Sequence, residues 1–237
     1  MKDKNKLWMA FRIAFPRTIP ILAGFVFLGI AYGLLMNSLG FSAIYPFLIS
    51  LTVFAGSVEF VAANFLVGAF HPINVLFLTL MVNARHLFYG ISMLDKYKGL
   101  GKKKWYMIFG LCDESFAINS TIDVPKNVDK GWVMFFVTLL NHFYWVLGAS
   151  LGGIFGSFIT FNTEGLEFVM TALFVVIFID QWMREEKHTS ALIGVGTSVV
   201  CLIIFGGNHF IIPAMVAILG LLTLSRKSLE KAEASAT

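Results

Sequence analysis

Eight apolar blocks fill most of this chain, at roughly residues 19–39, 44–70, 72–94, 105–122, 131–161, 165–183, 189–206 and 208–224. Several are long enough to cross a hydrocarbon layer, and they come as runs, not at amphipathic spacing. Only 14% of the 237 residues are charged, whereas a soluble domain carries about 25%. The pattern predicts an all-α polytopic membrane protein, with residues 1–237 forming a single integral membrane domain. It predicts about seven to eight membrane segments, some of them broken or re-entrant. The net charge of +4 comes from Lys and Arg in short segments between apolar blocks. Those charges serve as topology signals, so no nucleic-acid partner is expected. Cys112 and Cys201 fall in separate blocks and give no disulfide framework. No cleavable leader is read in the charged start M-K-D-K-N-K-L-W-M-A-F-R.

The basic segments are the N-terminus, the loop Lys96 to Lys104, the Arg184–Lys187 turn and the tail from Arg226. The positive-inside rule places all four, with both termini, in the cytoplasm. The charge-balanced loop Asp123 to Lys130 goes outside. Three blocks then precede Lys96 where an even number of crossings is needed. The block 44–70 is therefore expected to be two short arms that meet near mid-membrane, broken at Gly56-Ser57 in F-A-G-S-V-E-F. By the same count the block 131–161 needs a second short arm. The alternative is that one basic loop lies outside and every block is a plain helix. Gly29 and Gly33 in one half, and Gly148, Gly152 and Gly156 in the other, suggest two weakly related halves, although such spacing also serves ordinary helix packing.

Polar residues inside the blocks carry the functional reading. Arg85 lies near the middle of 72–94, where an arginine costs at least ~2.5 kcal/mol on insertion scales. Arg85 and Asp113 are nearly equidistant from the centre of the Lys96–Lys104 loop, each about ten residues or roughly 15 Å deep if the flanking helices are antiparallel. An Arg85 ion pair with Asp113 or Glu114 is expected. Tyr89 shares the face of Arg85 at i,i+4, and His86 is turned about 100° away. A static pair that pins two helices is the alternative reading. Two acids for one arginine, with Glu59 at the expected break, favour a working site that needs a cation, a proton or an ammonium group. Asn64, Asn119, Asn141 and His142 read as helix–helix hydrogen-bond partners. Glu167 is read between an interfacial and a site role, Asp180 with Arg184 as a solvated pair, and His209 as a turn residue.

Two function classes follow. One is a transporter of a small zwitterion, with Ser57 and Arg85 toward the carboxylate, and Glu59, Asp113 and Glu114 handling the ammonium or a proton. Asn83, His86 and Tyr89 would shape that site. The other is an intramembrane serine hydrolase on G-A-S-L-G, Gly148 to Gly152, using Ser150 with His142 or His209. H-E-x-x-H is absent. No metal or cofactor is expected. A membrane subunit without its own pathway is a third possibility.

The segments F-A-G-S-V-E-F (54–60), N-A-R-H-L-F-Y-G (83–90), D-E-S-F-A-I (113–118), W-V-L-G-A-S-L-G (145–152) and G-L-E-F-V-M-T-A-L-F (165–174) resemble the AzlC family. The likeness covers nearly the whole chain in the family's order. It implies the large subunit of a bacterial branched-chain amino acid exporter, a multi-pass inner-membrane permease working with a small AzlD-type membrane partner. A homo-oligomer is a further expectation. The family usually has Gln where this chain has Glu59, and often Asp where it has Glu167.

Overall fold

The computed structural model describes residues 2–68, 72–158, 175, 178–179, 182–183, 188–207, 210, 213–214, 216–218 and 220–225. Every element among them is helical. The chain divides into two compact units, Met1–Val169 and Met170–Thr237. Glu167, Asp180, Arg184 and His209 lie outside the described residues, so the expectations for them stand only at the sequence level.

The first unit is built on two long helices, α1 (Lys2–Ser38) and α8 (Lys130–Phe158). They run in the same direction. Phe11 meets Phe136, Thr18 Oγ1 meets the Tyr144 hydroxyl at 3.1 Å, and Gly29 and Gly33 face Gly148, Ala149 and Gly152. The glycines allow backbone to lie on backbone. A methyl at Gly29 would sit 2.8 Å from Ala149 N, and one at Gly148 would sit 2.7 Å from Val26 O. So the glycine series expected to mark two halves are each other's packing partners. Among the described residues of 131–161 the expected second short arm is also absent, since α8 is unbroken from Lys130 to Phe158.

Between these helices the chain makes two helical hairpins and one interrupted helix. The first hairpin is α2 (Ile44–Thr52) and α3 (Gly56–Val67), and its break at Val53–Ala55 lies beside the expected one. Pro46 lies against Gly153, near the far end of α8, and the Ser50 carbonyl reaches His142. Phe60 then turns back toward Tyr32 of α1. The hairpin therefore enters and leaves at the end where α1 finishes. Next come α4 (Pro72–Val82) and α5 (Ala84–Met93), separated only by a turn at Asn83.

The second hairpin is α6 (Lys103–Phe109) and α7 (Asp113–Thr121), broken at Gly110–Cys112. Here the sequence expectation fails. The block 105–122 is two arms, not one helix, and both arms leave from the same end. Lys103 at the start of α6 pairs with Asp129 before α8 at 3.4 Å and covers the Trp132 ring at 4.3 Å. Lys96 bonds the Ser120 carbonyl near the end of α7, and Arg17 bonds the Asp123 carbonyl at 3.0 Å. The loop Asp123 to Lys130 thus lies at the same end as Lys96 to Lys104, not opposite it. Balanced charge in that loop reflects local pairing. Asp129 also accepts the Gly131 N–H at 2.7 Å and so caps the start of α8. Beneath this polar end, Ala10, Ala14, Met93, Met107, Val133 and Val137 form a closed apolar core.

In the second unit, α9 (Thr189–Phe205) ends at Gly206, whose φ of 73° favours glycine. The Trp182 ring stacks on His188 with centroids 3.9 Å apart. Phe178, Trp182, Ala191, Gly194, Val195 and Ile218 line an apolar recess there.

Candidate functional site

The tips of the two hairpins meet inside the first unit. Phe54 takes φ 45°, a rare conformation for a residue with a side chain, and this ends α2. Its ring lies 4.5 Å from His142 and 6.4 Å from Phe109, centroid to centroid. The break frees the Ser50 carbonyl, which His142 Nε2 approaches at 3.2 Å. A carbonyl can only accept, so Nε2 carries the proton and Nδ1 accepts from the Tyr106 hydroxyl at 2.8 Å. One histidine on α8 thus holds both hairpins. His142 and Asn119, whose amide reaches Thr138 Oγ1 at 3.3 Å, are inter-helix partners as expected. Neither side-chain polar atom of Asn141, by contrast, finds a partner among the described residues.

Beside the tips, three helices begin at one place. Ser57 is in the first turn of α3, Arg85 in the first turn of α5, and Asp113 opens α7. Arg85 Nη1 contacts Asp113 Oδ2 at 2.5 Å, and Arg85 Nη2 donates to Ser57 Oγ at 3.4 Å. The expected ion pair is therefore present. The equal-depth argument found the right partners although α6–α7 is a hairpin, because Asp113 sits next to its tip. The pair is not sealed, with side-chain exposures of 30% and 28%. Nor is it saturated: Arg85 Nε and Asp113 Oδ1, both buried atoms, have no hydrogen-bond partner among the described residues. Helix starts carry free N–H groups and a positive dipole end, so three of them favour an anion here.

The other residues expected at the site divide. The Asn83 carbonyl lies 3.3 Å from His86 Nδ1, and Asn83 precedes α5 without a side-chain cap. The His86 ring meets Tyr89 edge-on at 5.7 Å, and Tyr89 stacks on Phe116 of α7 at 4.4 Å. Glu114, half-buried, follows Asp113 in the first turn of α7. These residues share the α5–α7 neighbourhood of the ion pair.

Glu59 does not join them. It is 1% exposed, on the opposite face of α3 from Ser57. Two residues on a helix are about 200° apart, which accounts for the separation. Its Oε1 accepts from Ala55 N–H at 2.9 Å and from Trp145 Nε1 at 3.0 Å, and Oε2 lies 3.1 Å from the same indole nitrogen. Tyr32 and Phe60 close the surroundings, with rings 6.2 and 6.5 Å from Trp145. Sequence reasoning missed Trp145, Tyr106 and Phe54. A signal existed for Trp145, which lies three residues before Gly148 on the packed face of α8.

The hydrolase alternative finds no pair among the described residues. Ser150 Oγ donates to Val146 O at 2.6 Å, and both ring nitrogens of His142 are engaged elsewhere. No cluster of metal-ligating side chains occurs among the described residues.

Between α3 and α4 lies a small apolar recess of about 10 Å³, lined by Val58, Val61, Ala62, Val75, Leu78 and Val82, among others. It has room for no more than about one water molecule.

Comparison with known proteins places this chain in a family. The Bacillus subtilis (strain 168) "Branched-chain amino acid transport protein AzlC" is 74% identical over 235 residues, covering 99% of this chain and 92% of that protein. An "Uncharacterized membrane protein" of Haemophilus influenzae is 50% identical over 230 residues, 97% of this chain and 94% of its own length. The "Inner membrane protein YgaZ" of Escherichia coli (strain K12) is 29% identical over 188 residues, 75% of this chain and 76% of that one. No solved structure matches. The profile of the family described as "AzlC protein" matches residues 20–159, which hold the whole ion-pair neighbourhood and Glu59, and the chain belongs to the AzlC family.

Proposed function

We propose that this protein is the large, multi-pass subunit of a two-component permease that exports branched-chain or related apolar amino acids across the bacterial inner membrane, with proton coupling. The observation that carries the reading is the unsaturated Arg85–Asp113 pair, set where α3, α5 and α7 begin. Such a site has opposite poles for a zwitterion, and in this reading α3 and α4 part at their small apolar recess to take a hydrocarbon side chain. The substrate carboxylate faces Arg85 Nε, Ser57 and the free N–H groups of α3. The ammonium faces Asp113 Oδ1 and Glu114. A valine or leucine side chain runs toward Val58 and Val82. Asn83, His86 and Tyr89 hold Arg85 and the α7 wall in register.

In this reading α1, α4–α5 and α8 each cross the bilayer, while α2–α3 and α6–α7 enter from opposite sides and stop halfway. Broken helices persist at depth only where they are buried in protein or line a cavity, which is where both tips lie. The basic end, with the N-terminus, faces the cytoplasm. The small AzlD-type partner and self-association belong to the same proposal, carried by the family likeness. Glu59, sealed away from the ion pair, serves a proton and not the ammonium.

The test is efflux of labelled leucine or valine from cells loaded with the amino acid. Arg85→Ala and Asp113→Ala, each at wild-type abundance, are expected to lose about one to two orders of magnitude in rate, because each removes one pole of the site and its hydrogen bonds to a charged group. Normal export by both would remove the site. Glu59→Gln is expected to export with a flattened pH dependence. An unaltered pH profile would remove the proton role.

A further inference from the structure

The two hairpins and the helices that precede them match in sequence. Tyr32-Gly33-Leu34-Leu35-Met36 of α1 corresponds to Tyr89-Gly90-Ile91-Ser92-Met93 of α5. Further on, V-F-A-G-S-V-E-F-V-A-A-N (53–64) corresponds without a gap to I-F-G-L-C-D-E-S-F-A-I-N (108–119). Phe54 aligns with Phe109, Glu59 with Glu114, Ala62 with Ala117 and Asn64 with Asn119. Both stretches span a helix, a break and a second helix.

The contacts correspond as well. Met36 and Met93 are both fully buried. The Tyr32 ring meets Phe60 of the following hairpin at 5.5 Å, and the Tyr89 ring meets Phe116 of its own at 4.4 Å, one position along, since Phe60 aligns with Ser115. The equivalent tip residues Phe54 and Phe109 touch each other. Equivalent residues meet in this way on a two-fold axis. The hairpins open toward opposite ends of α8, so that axis lies in the plane of the membrane and the repeat is inverted.

We infer that residues 28–64 and 85–119 form an inverted repeat, and that its equivalent acids Glu59 and Glu114 are occluded in turn as the protein changes the side it faces. The inference rests on the reading of the chain as a transporter and adds how access alternates. In an inverted repeat, exchanging the conformations of the two halves produces the opposite-facing state. The halves differ here in the required way. Glu59 is shut under Trp145 and bonded to Ala55 N–H, while Glu114 stands in the partly open α5–α7 neighbourhood. The Glu59–Trp145 contact is then the bond that holds the present state.

The test needs no substrate, so it can fail while the efflux results stand, or hold while they fail. Single cysteines are placed in the full chain on a Cys112→Ala, Cys201→Ala background. They are challenged with a membrane-impermeant maleimide in right-side-out and everted vesicles. Ser42→Cys should label from one face, and Lys98→Cys and Lys126→Cys from the other. Labelling of Ser42→Cys and Lys98→Cys from the same face overturns the inverted arrangement, as does labelling of Lys98→Cys and Lys126→Cys from opposite faces. Adding Trp145→Phe should raise the reactivity of Ala62→Cys and lower that of Ala117→Cys, each by about tenfold, the scale of one hydrogen bond to a charged group. A change in the same direction at both, or at neither, overturns the exchange. If Trp145→Phe does not reach the membrane, Glu59→Gln keeps the acceptor but weakens both bonds. It should shift the two reactivities in the same opposed sense by about threefold, and no shift in that variant overturns the exchange equally.

Discussion

The α2–α3 and α6–α7 hairpins use one backbone device with different chemistry. Each turns by having a side chain of its second helix reach back to the break. Glu59 takes the Ala55 N–H, and Ser115 takes the Cys112 N–H at 2.8 Å while donating to Gly110 O at 2.8 Å. Each tip ends in a phenylalanine held near His142. Yet at the positions of Arg85 and Asp113 the first repeat carries Leu28 and Val58. One repeat supplies the ion pair, and the other has apolar residues at those two positions. A substrate with a charged head and a hydrocarbon tail needs both, so the asymmetry suits what the symmetric backbone would otherwise forbid. Binding chemistry and the alternation of access can then be set by different residues.

The comparison breaks most sharply if the second repeat is given the side chains of the first. The double variant Arg85→Leu, Asp113→Val should lose transport by at least about two orders of magnitude. It should nevertheless unfold within about 1 kcal/mol of wild type in a thermal melt, because replacing a buried pair by apolar groups is often neutral. A large drop in melting temperature would make the pair a structural pin and return the site to the static reading. A smaller effect is expected at the tip. Gly110 occupies the place that Ala55 holds in the first hairpin, but a Cβ there would collide with Thr138 Cγ2. Gly110→Ala should cost about 1–3 kcal/mol by overpacking and by disturbing the Asn119–Thr138 bond, read as a lower midpoint in denaturant. The smallest effect falls on Ser57→Ala. Its bond to Arg85 is long at 3.4 Å, so the variant should raise the KM for leucine only a few-fold, about 0.5–1.5 kcal/mol, at unchanged maximal rate.

Much of this arrangement could be read from residues alone. Counting crossings located the break near Gly56, and matching depths found the partner of Arg85. The count went astray at the next step because Gly148, Gly152 and Gly156 looked like weak points in a helix. They are the places where α1 lies against α8, and a packed glycine does not break a helix. The true second break, Gly110-Leu111-Cys112, has one glycine and no proline, and its cause is tertiary: Ser115 folds back onto it. The sides of the loops were misjudged because Asp129 offsets Lys103 locally, which hides a basic end from any tally of charge. The exclusion of Glu59 from the ion pair was legible, since its angular separation from Ser57 follows from helix geometry. The proposed repeat shows in the Tyr-Gly and Phe–Glu–Ala–Asn positions and not in the glycine spacing, which serves helix packing.

The contact between α1 and α8 has one further consequence. Where main chains rest directly on each other, no side chain can change rotamer to let one slide along the other. Those two helices therefore form a rigid frame, and on the proposed alternation of access the moving parts are the short arms that His142 ties to it.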